Sequence, residues 1–207
     1  AEGRVMPDLY KKAHVTHVLI ILNILVFILE EMLGGSENFA VAVRLGVFYP
    51  PYILERHEWY RLITSMFMHF GAEHLGSNMI SLFVIGPYVE HMLGRISYIF
   101  VYLFSGLSGN LLTLLVETIS GDMSFSAGAS GALCGLVGVF IILIIFKMIR
   151  GSFPGKNIAL AIICILAPGI GNSSINLTAH IGGLIGGMLT SAVVLAVRKL
   201  VAAAKRG

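Results

Sequence analysis

Charge is what this sequence has least of. Asp, Glu, Lys and Arg make up 12% of its 207 residues, about half the share of an ordinary soluble domain. The net charge is +3, and the basic residues sit at the ends of apolar segments instead of forming a patch, which excludes a nucleic-acid-binding surface. Cysteine is almost absent. Cys134 and Cys164 both lie inside apolar runs, so they read as buried small side chains and not as a disulfide framework. No repeat or low-complexity tract is visible. What remains is apolar: 57% of the chain is hydrophobic, in long blocks and not in amphipathic stripes. An open sheet could not satisfy its backbone in lipid. The expected class is an all-α integral membrane protein with one compact helical domain.

A transmembrane helix needs about 20 mostly apolar residues, and six transmembrane helices are predicted. The first runs from Val15 to Leu33, the second from Glu73 to Met92, the third from Ile96 to Glu117, the fourth from Gly128 to Phe146 and the sixth from Ile175 to Val197. The fifth, Asn157 to Ala167, is short and stops at Pro168-Gly169, a length that also fits a re-entrant segment. The first run follows Lys11 and Lys12, is about a full span long and has no A-x-A-like cleavage site, so it is expected to be a helix and not a signal peptide. The predicted organisation is an N-terminal segment 1–14, a membrane domain 15–198 and a tail 199–207. A long connection, 34–70, carries Pro50, Pro51, Tyr49, Tyr52, Trp59 and Tyr60. It is too polar to span, and its aromatics suit the lipid–water boundary.

Lys and Arg set the expected orientation. In a six-span topology Arg4, Lys11, Lys12, Arg95, Lys147, Arg150, Lys156, Arg198, Lys199, Lys205 and Arg206 fall on one side, and Arg44, Arg56 and Arg61 on the other. Both termini are therefore predicted to be cytoplasmic. The bias supports an even number of spans, and so supports the short fifth one.

This topology starts the second, fourth and sixth spans at the outer face. His74 and Asn78 then lie in the first turns of the second span, Ser130 opens the fourth, and His180 lies early in the sixth. Polar side chains at membrane depth are costly and face the bundle interior. Gly131, Gly135 and Gly138 run along the fourth span. Gly183 and Gly187 follow His180 at i+3 and i+7, and Gly182 and Gly186 widen that stripe. Small residues at this spacing let helix backbones approach closely, which would draw His180 to Ser130. An imidazole could then take the serine proton. His74 and Asn78, four apart on one helical face, could donate hydrogen bonds to an oxyanion, as could the Ser130 N–H, unpaired at a helix start. Glu30, Glu31, Glu90 and Glu117 lie at span ends and no Asp lies mid-span. A serine enzyme of this kind would use a Ser–His dyad without a third acid.

Each residue alone has a plainer reading. Ser130 between glycines would pack helices, His180 would be a satisfied interior histidine or part of a proton relay, and Asn78 would bridge helices. Only their joint depth shifts the balance. A non-catalytic membrane helix-binding protein or a transporter remains the alternative. The segment "SGLSGN", Ser105 to Asn110, is the one candidate for an unwound transporter segment, and reads more simply as a packing face. "HFGAEH", His69 to His74, invites a zinc reading. Its histidines are five apart, which fits neither H-E-x-x-H nor H-x-x-E-H, and Gly71 weakens a helix through it. No metal is assigned. Glu73 suits a helix N-terminus, and His69 is expected to hold the outer loop by hydrogen bonds.

These motifs together resemble the rhomboid family of intramembrane serine proteases, of the bacterial six-span type. "GASG", Gly128 to Gly131, is similar to the family's Gly-x-Ser-Gly, with Ser130 in the nucleophile position. "AHIGGLIGG", Ala179 to Gly187, resembles its sixth helix, with His180 as base and Gly183 and Gly187 as packing positions. "HFGAEHLGSN" matches its second-helix motif, with His74 and Asn78 on the oxyanion side and His69 in a structural role. "WYRLITS", Trp59 to Ser65, is similar to the Trp-Arg motif of the long first loop, with Arg61 as the arginine. "VEHMLG" looks like the Glu-x-x-x-Gly end of the second helix, with Glu90 as a support residue. The resemblance implies cleavage of single-span membrane proteins within the lipid bilayer of a bacterial cytoplasmic (inner) membrane, near the outer leaflet. It implies an acyl-enzyme and no cofactor. It also implies a moving gate built from the fifth span and the loop Pro168 to Ile175. One position departs: four residues after Ser130 the family has an aromatic ring packed on the histidine, and here stands Cys134.

Overall fold

A computed structural model of the chain describes residues 9–149, 155–166 and 176–205. The loop Pro168 to Ile175, expected to form part of a gate, lies outside the described residues, as does the start predicted for the sixth span. The described residues are helical, with no strand and a single antiparallel bridge between Phe48 and Ser126. Helix α1 spans His14–Met32. The connection that follows holds three short helices, α2 (Phe39–Leu45), α3 (Pro50–Leu54) and α4 (Arg61–Thr64), and a 3₁₀ turn, Ser65–Phe67. Then come α5 (Ala72–Leu93), α6 (Arg95–Ser120), α7 (Ser130–Ile145), α8 (Gly155–Leu166) and α9 (Leu177–Ala204).

Among the described residues, three helices are long and apolar enough to cross a membrane: α1, α6 and α9. Helix α5 has 22 residues but carries His74, Ser77, Asn78, Ser81 and Glu90. Helices α7 and α8 are shorter, with 16 and 12 residues. At 1.5 Å per residue α8 reaches roughly 18 Å, well under a hydrocarbon core of about 30 Å. The large side chains that α1 and α9 turn outward are apolar, among them Val18, Ile21, Leu25, Ile185, Leu189 and Val193. A bundle in lipid needs such a surface.

Helix α9 differs from expectation at its far end. The predicted tail from 199 continues as helix to Ala204. Lys, Leu, Val and Ala do not stop a helix; loss of apolarity ends a span, not the hydrogen-bond ladder. Arg198 also anchors this end, donating to the Met92 carbonyl at 3.2 Å and to Ser97 Oγ at 3.0 Å.

The ends of α1, α5, α6 and α9 define one face of the bundle. Helix α1 has no side-chain cap of its own. Glu90, near the end of α5, supplies one: its carboxylate accepts from the N–H groups of Val15 (3.0 Å) and Thr16 (2.9 Å) and from Thr16 Oγ1 (2.9 Å). Those N–H groups belong to the first turn of α1, which has no partners within its own helix. Helix α9 packs chiefly on α6 and α7, and α8 leans mainly on α5. Two glycine stripes make the first of these arrangements. A methyl group on Gly183 or Gly187 would overlap the carbonyl oxygen of Gly131 or Gly135, whereas one on Gly182 or Gly186 would strike Ser108 of α6. The predicted single stripe is thus two, serving two neighbours. Ser105 to Asn110 is helical throughout, with Gly109 against Ala179 of α9 and Gly106 against Met66.

Candidate active site

At the opposite face, the starts of α5, α7 and α9 converge. Ser130 is the first residue of α7, and His180 lies in the first turn of α9. Ser130 Oγ and His180 Nε2 are 2.8 Å apart. With Nε2 accepting from the serine, the imidazole proton sits on Nδ1. That atom is buried and has no hydrogen-bond partner among the described residues.

Gly128 brings α5 to the same place. Its φ of +134° suits glycine, and a Cβ there would stand 2.8 Å from His74 Nε2 and 3.6 Å from Asn78 Nδ2. The α5 side chains therefore lie directly against the backbone two residues before Ser130. Asn78 is 1% exposed and its Nδ2 donor has no partner among the described residues. Predicted from sequence as oxyanion donors, His74 and Asn78 are thus assembled on one side of the Ser130 segment.

Extended backbone leads into Ser130 and is pinned from two directions. Phe48 and Ser126 exchange two backbone hydrogen bonds of 3.1 Å, and the Gly128 N–H donates to the Ser65 carbonyl at 2.9 Å. Phe125 stacks on Tyr49 with ring centroids 4.0 Å apart. Arg61 holds the connection that does this pinning. It is buried, pairs with Glu58, and donates to the carbonyls of Val43 (3.0 Å) and Val47 (3.1 Å).

His69, expected to hold the outer loop by hydrogen bonds, does so through its backbone. Its ring is fully buried, yet neither ring nitrogen makes a well-formed hydrogen bond among the described residues. The backbone does the holding instead: the His69 N–H donates to Glu30 Oε2 at 3.3 Å. Burial, and then the neighbouring His74, push the His69 pKa down to about 3. The two rings meet edge to face, with centroids 5.1 Å apart. Glu73 is exposed in the first turn of α5, so the three groups of the zinc reading do not converge.

Two features escaped the sequence. Asn176 caps α9, its Oδ1 accepting from the Ala179 N–H at 2.8 Å, and its Nδ2 donates to Ser126 Oγ at 3.0 Å. An Asn before an apolar helix is a cap signal, but the predicted start at Ile175, two residues before Leu177, hides it. Beneath His180, where a ring was expected, lies an apolar cavity of about 220 Å³ lined by Cys134, Val137, Ile165 and Leu184 among others.

Comparison with known proteins places the chain in a family. A family model described as the rhomboid domain matches residues 56–197. The rhomboid protease GluP of Bacillus subtilis is 36% identical over 179 residues, covering 86% of this chain and 34% of that protein. YdcA of the same bacterium is 39% identical over 138 residues, covering 65% of this chain and 66% of its own length. Rhomboid-type serine protease 2 of Emericella nidulans is 30% identical over 138 residues, covering 63% of this chain and 26% of that protein. The chain thus spans about a third of GluP and just under two thirds of YdcA.

Proposed function

Because the chain belongs to the rhomboid family, and is accordingly an integral membrane protein, we propose that it is a serine endopeptidase that cleaves membrane proteins within the bilayer. Ser130 attacks the scissile carbonyl while His180 Nε2 takes the hydroxyl proton. His180 then gives that proton to the leaving amine, and water hydrolyses the resulting acyl-enzyme by the same route in reverse. Asn78, His74 and the Ser130 N–H stabilise the oxyanion. The observation that carries this reading is the 2.8 Å separation of Ser130 Oγ and His180 Nε2. Supporting it is the unpaired, buried Asn78 donor beside the same segment, since a donor with no ground-state partner is available to charge that appears later.

Substrates are single-span proteins whose helix unwinds near the outer leaflet, because a helical backbone hides its carbonyls. Six spans are proposed: α1, α6 and α9 with α5, α7 and the short α8. Both termini face the cytoplasm of a bacterial inner membrane. Structural support falls to His69, Arg61, Glu90, Gly128, Gly131, Gly183 and Gly187. Purified protein in detergent should cleave a model transmembrane substrate, and Ser130→Ala should abolish the cleavage. Undiminished cleavage by that variant would overturn the reading.

A further inference from the structure

We infer that Asn176 is a positioning residue for the Ser130–His180 pair, fixing the register between the helix that carries the base and the segment that carries the nucleophile. This rests on the dyad reading above.

The need for such a device follows from the glycine contact. Gly131 and Gly135 meet Gly183 and Gly187 backbone to backbone. That sets how closely α7 and α9 approach. Over these four residues it offers little side-chain knob against sliding or rolling: Ala179 Cβ lies beside Gly131, and Met188 packs on Gly138 further along. A hydrogen bond across 2.8 Å between the first turns of two helices tolerates little of either motion.

Asn176 links every part that must keep step. Its backbone carbonyl accepts from the His180 N–H at 3.2 Å. Its Oδ1 accepts from the Ala179 N–H at 2.8 Å, from Thr178 Oγ1 at 2.7 Å, and from Thr113 Oγ1 of α6 at 3.1 Å. Its Nδ2 reaches the nucleophile segment, donating to Ser126 Oγ at 3.0 Å. Of its other anchors, Phe48 on Ser126 and Ser65 on Gly128 belong to the connection between α1 and α5, and Glu117 of α6 accepts from Ser124. The Asn176–Ser126 bond ties it to α9. An amide suits the position because both kinds of group are needed on one short side chain: an acceptor turned to the helix and a donor turned away from it.

Two substitutions separate this role from helix capping. Asn176→Ser keeps a capping hydroxyl but is too short to reach Ser126. Ser126→Ala removes the same bond from the other side and leaves both backbone bonds to Phe48. Each should lower kcat roughly ten- to a hundredfold, as expected for a sub-ångström misplacement of reacting groups, with KM nearly unchanged. The rate at which a fluorophosphonate labels Ser130 should fall in parallel. The double variant should be no worse than the worse single one, because both break one bond. Wild-type kcat and labelling rate in Ser126→Ala and Asn176→Ser, measured where Ser130→Ala is inactive and unlabelled, would overturn the proposal. A fall in melting temperature with unchanged rates per folded enzyme would overturn it too, leaving a cap and nothing more. Activity persisting in Ser130→Ala would instead remove the dyad reading on which it rests.

Discussion

The two ends of the bundle differ in how they treat polar groups. At the Glu90 end, the buried carboxylate meets two N–H groups and a hydroxyl, and the exposed Arg198 meets a carbonyl and a serine. At the Ser130 end, Glu30 Oε1, both His69 ring nitrogens, Asn78 Nδ2 and His180 Nδ1 are buried without partners; the other such atoms among the described residues, on Asn23 and Tyr102, lie mid-helix. Native proteins leave few buried polar atoms unpaired. A concentration of them at one end is what the proposed active site would require, since functional sites give up stability in this way. The Ser130 end also has satisfied anchors, Arg61 and Asn176, and its unpaired groups suit the chemistry proposed for it.

This contrast can be broken by experiment. His180→Ala should reduce cleavage at least about a thousandfold while the melting temperature in detergent stays level or rises. A large loss of stability would mean that the Ser130 end is structural after all. Asn78→Ala should cost about 10²–10³-fold in kcat, with stability again unchanged, as measured by steady-state cleavage and thermal unfolding. Glu90→Ala should do the reverse. It strands the Val15 and Thr16 donors and should cost about 3 kcal/mol of stability, read by unfolding in mixed micelles, with little change in kcat per folded molecule.

The smallest effect concerns pH. His69 is held near 3 against an ordinary 6.5, so it is neutral when folded and takes a proton on unfolding below pH 6.5. Its contribution is complete above that value and is lost as pH falls towards 3. The melting temperature should therefore decline through that window, and His69→Gln should make the decline shallower. An unchanged slope would show that the His69 ring is hydrated.

Much of this was legible beforehand, and the reason differs by element. The long helices were readable because lipid forces apolar side chains outward over whole turns, and the ends of α1, α5 and α8 fell within two residues of expectation. The nearness of Ser130 to His180 could be anticipated because shared depth and glycine faces together point to it. The short helices α2 to α4 were not, since each is held by tertiary bonds such as those of Arg61 and not by periodicity. The partners of Glu90 lie more than 70 positions away, and no local pattern encodes such a distance. Asn176 has the same difficulty. Its cap is local and visible, but its bond to Ser126 joins segments whose adjacency only the fold creates. The two-sided glycine stripe on α9 was half read: spacing reveals small faces but not how many neighbours they serve.

The α7–α9 contact has a consequence for tolerance to change. The gap between the two residues of the pair is spanned largely by main chain, and main chain is the one component of a protein that substitution cannot alter. Side chains facing the lipid can be exchanged for others of different bulk without lengthening that gauge. The closeness of α7 and α9 should therefore survive the exchange of lipid-facing residues and bilayers of differing thickness, while their register still answers to Asn176 and Ser126.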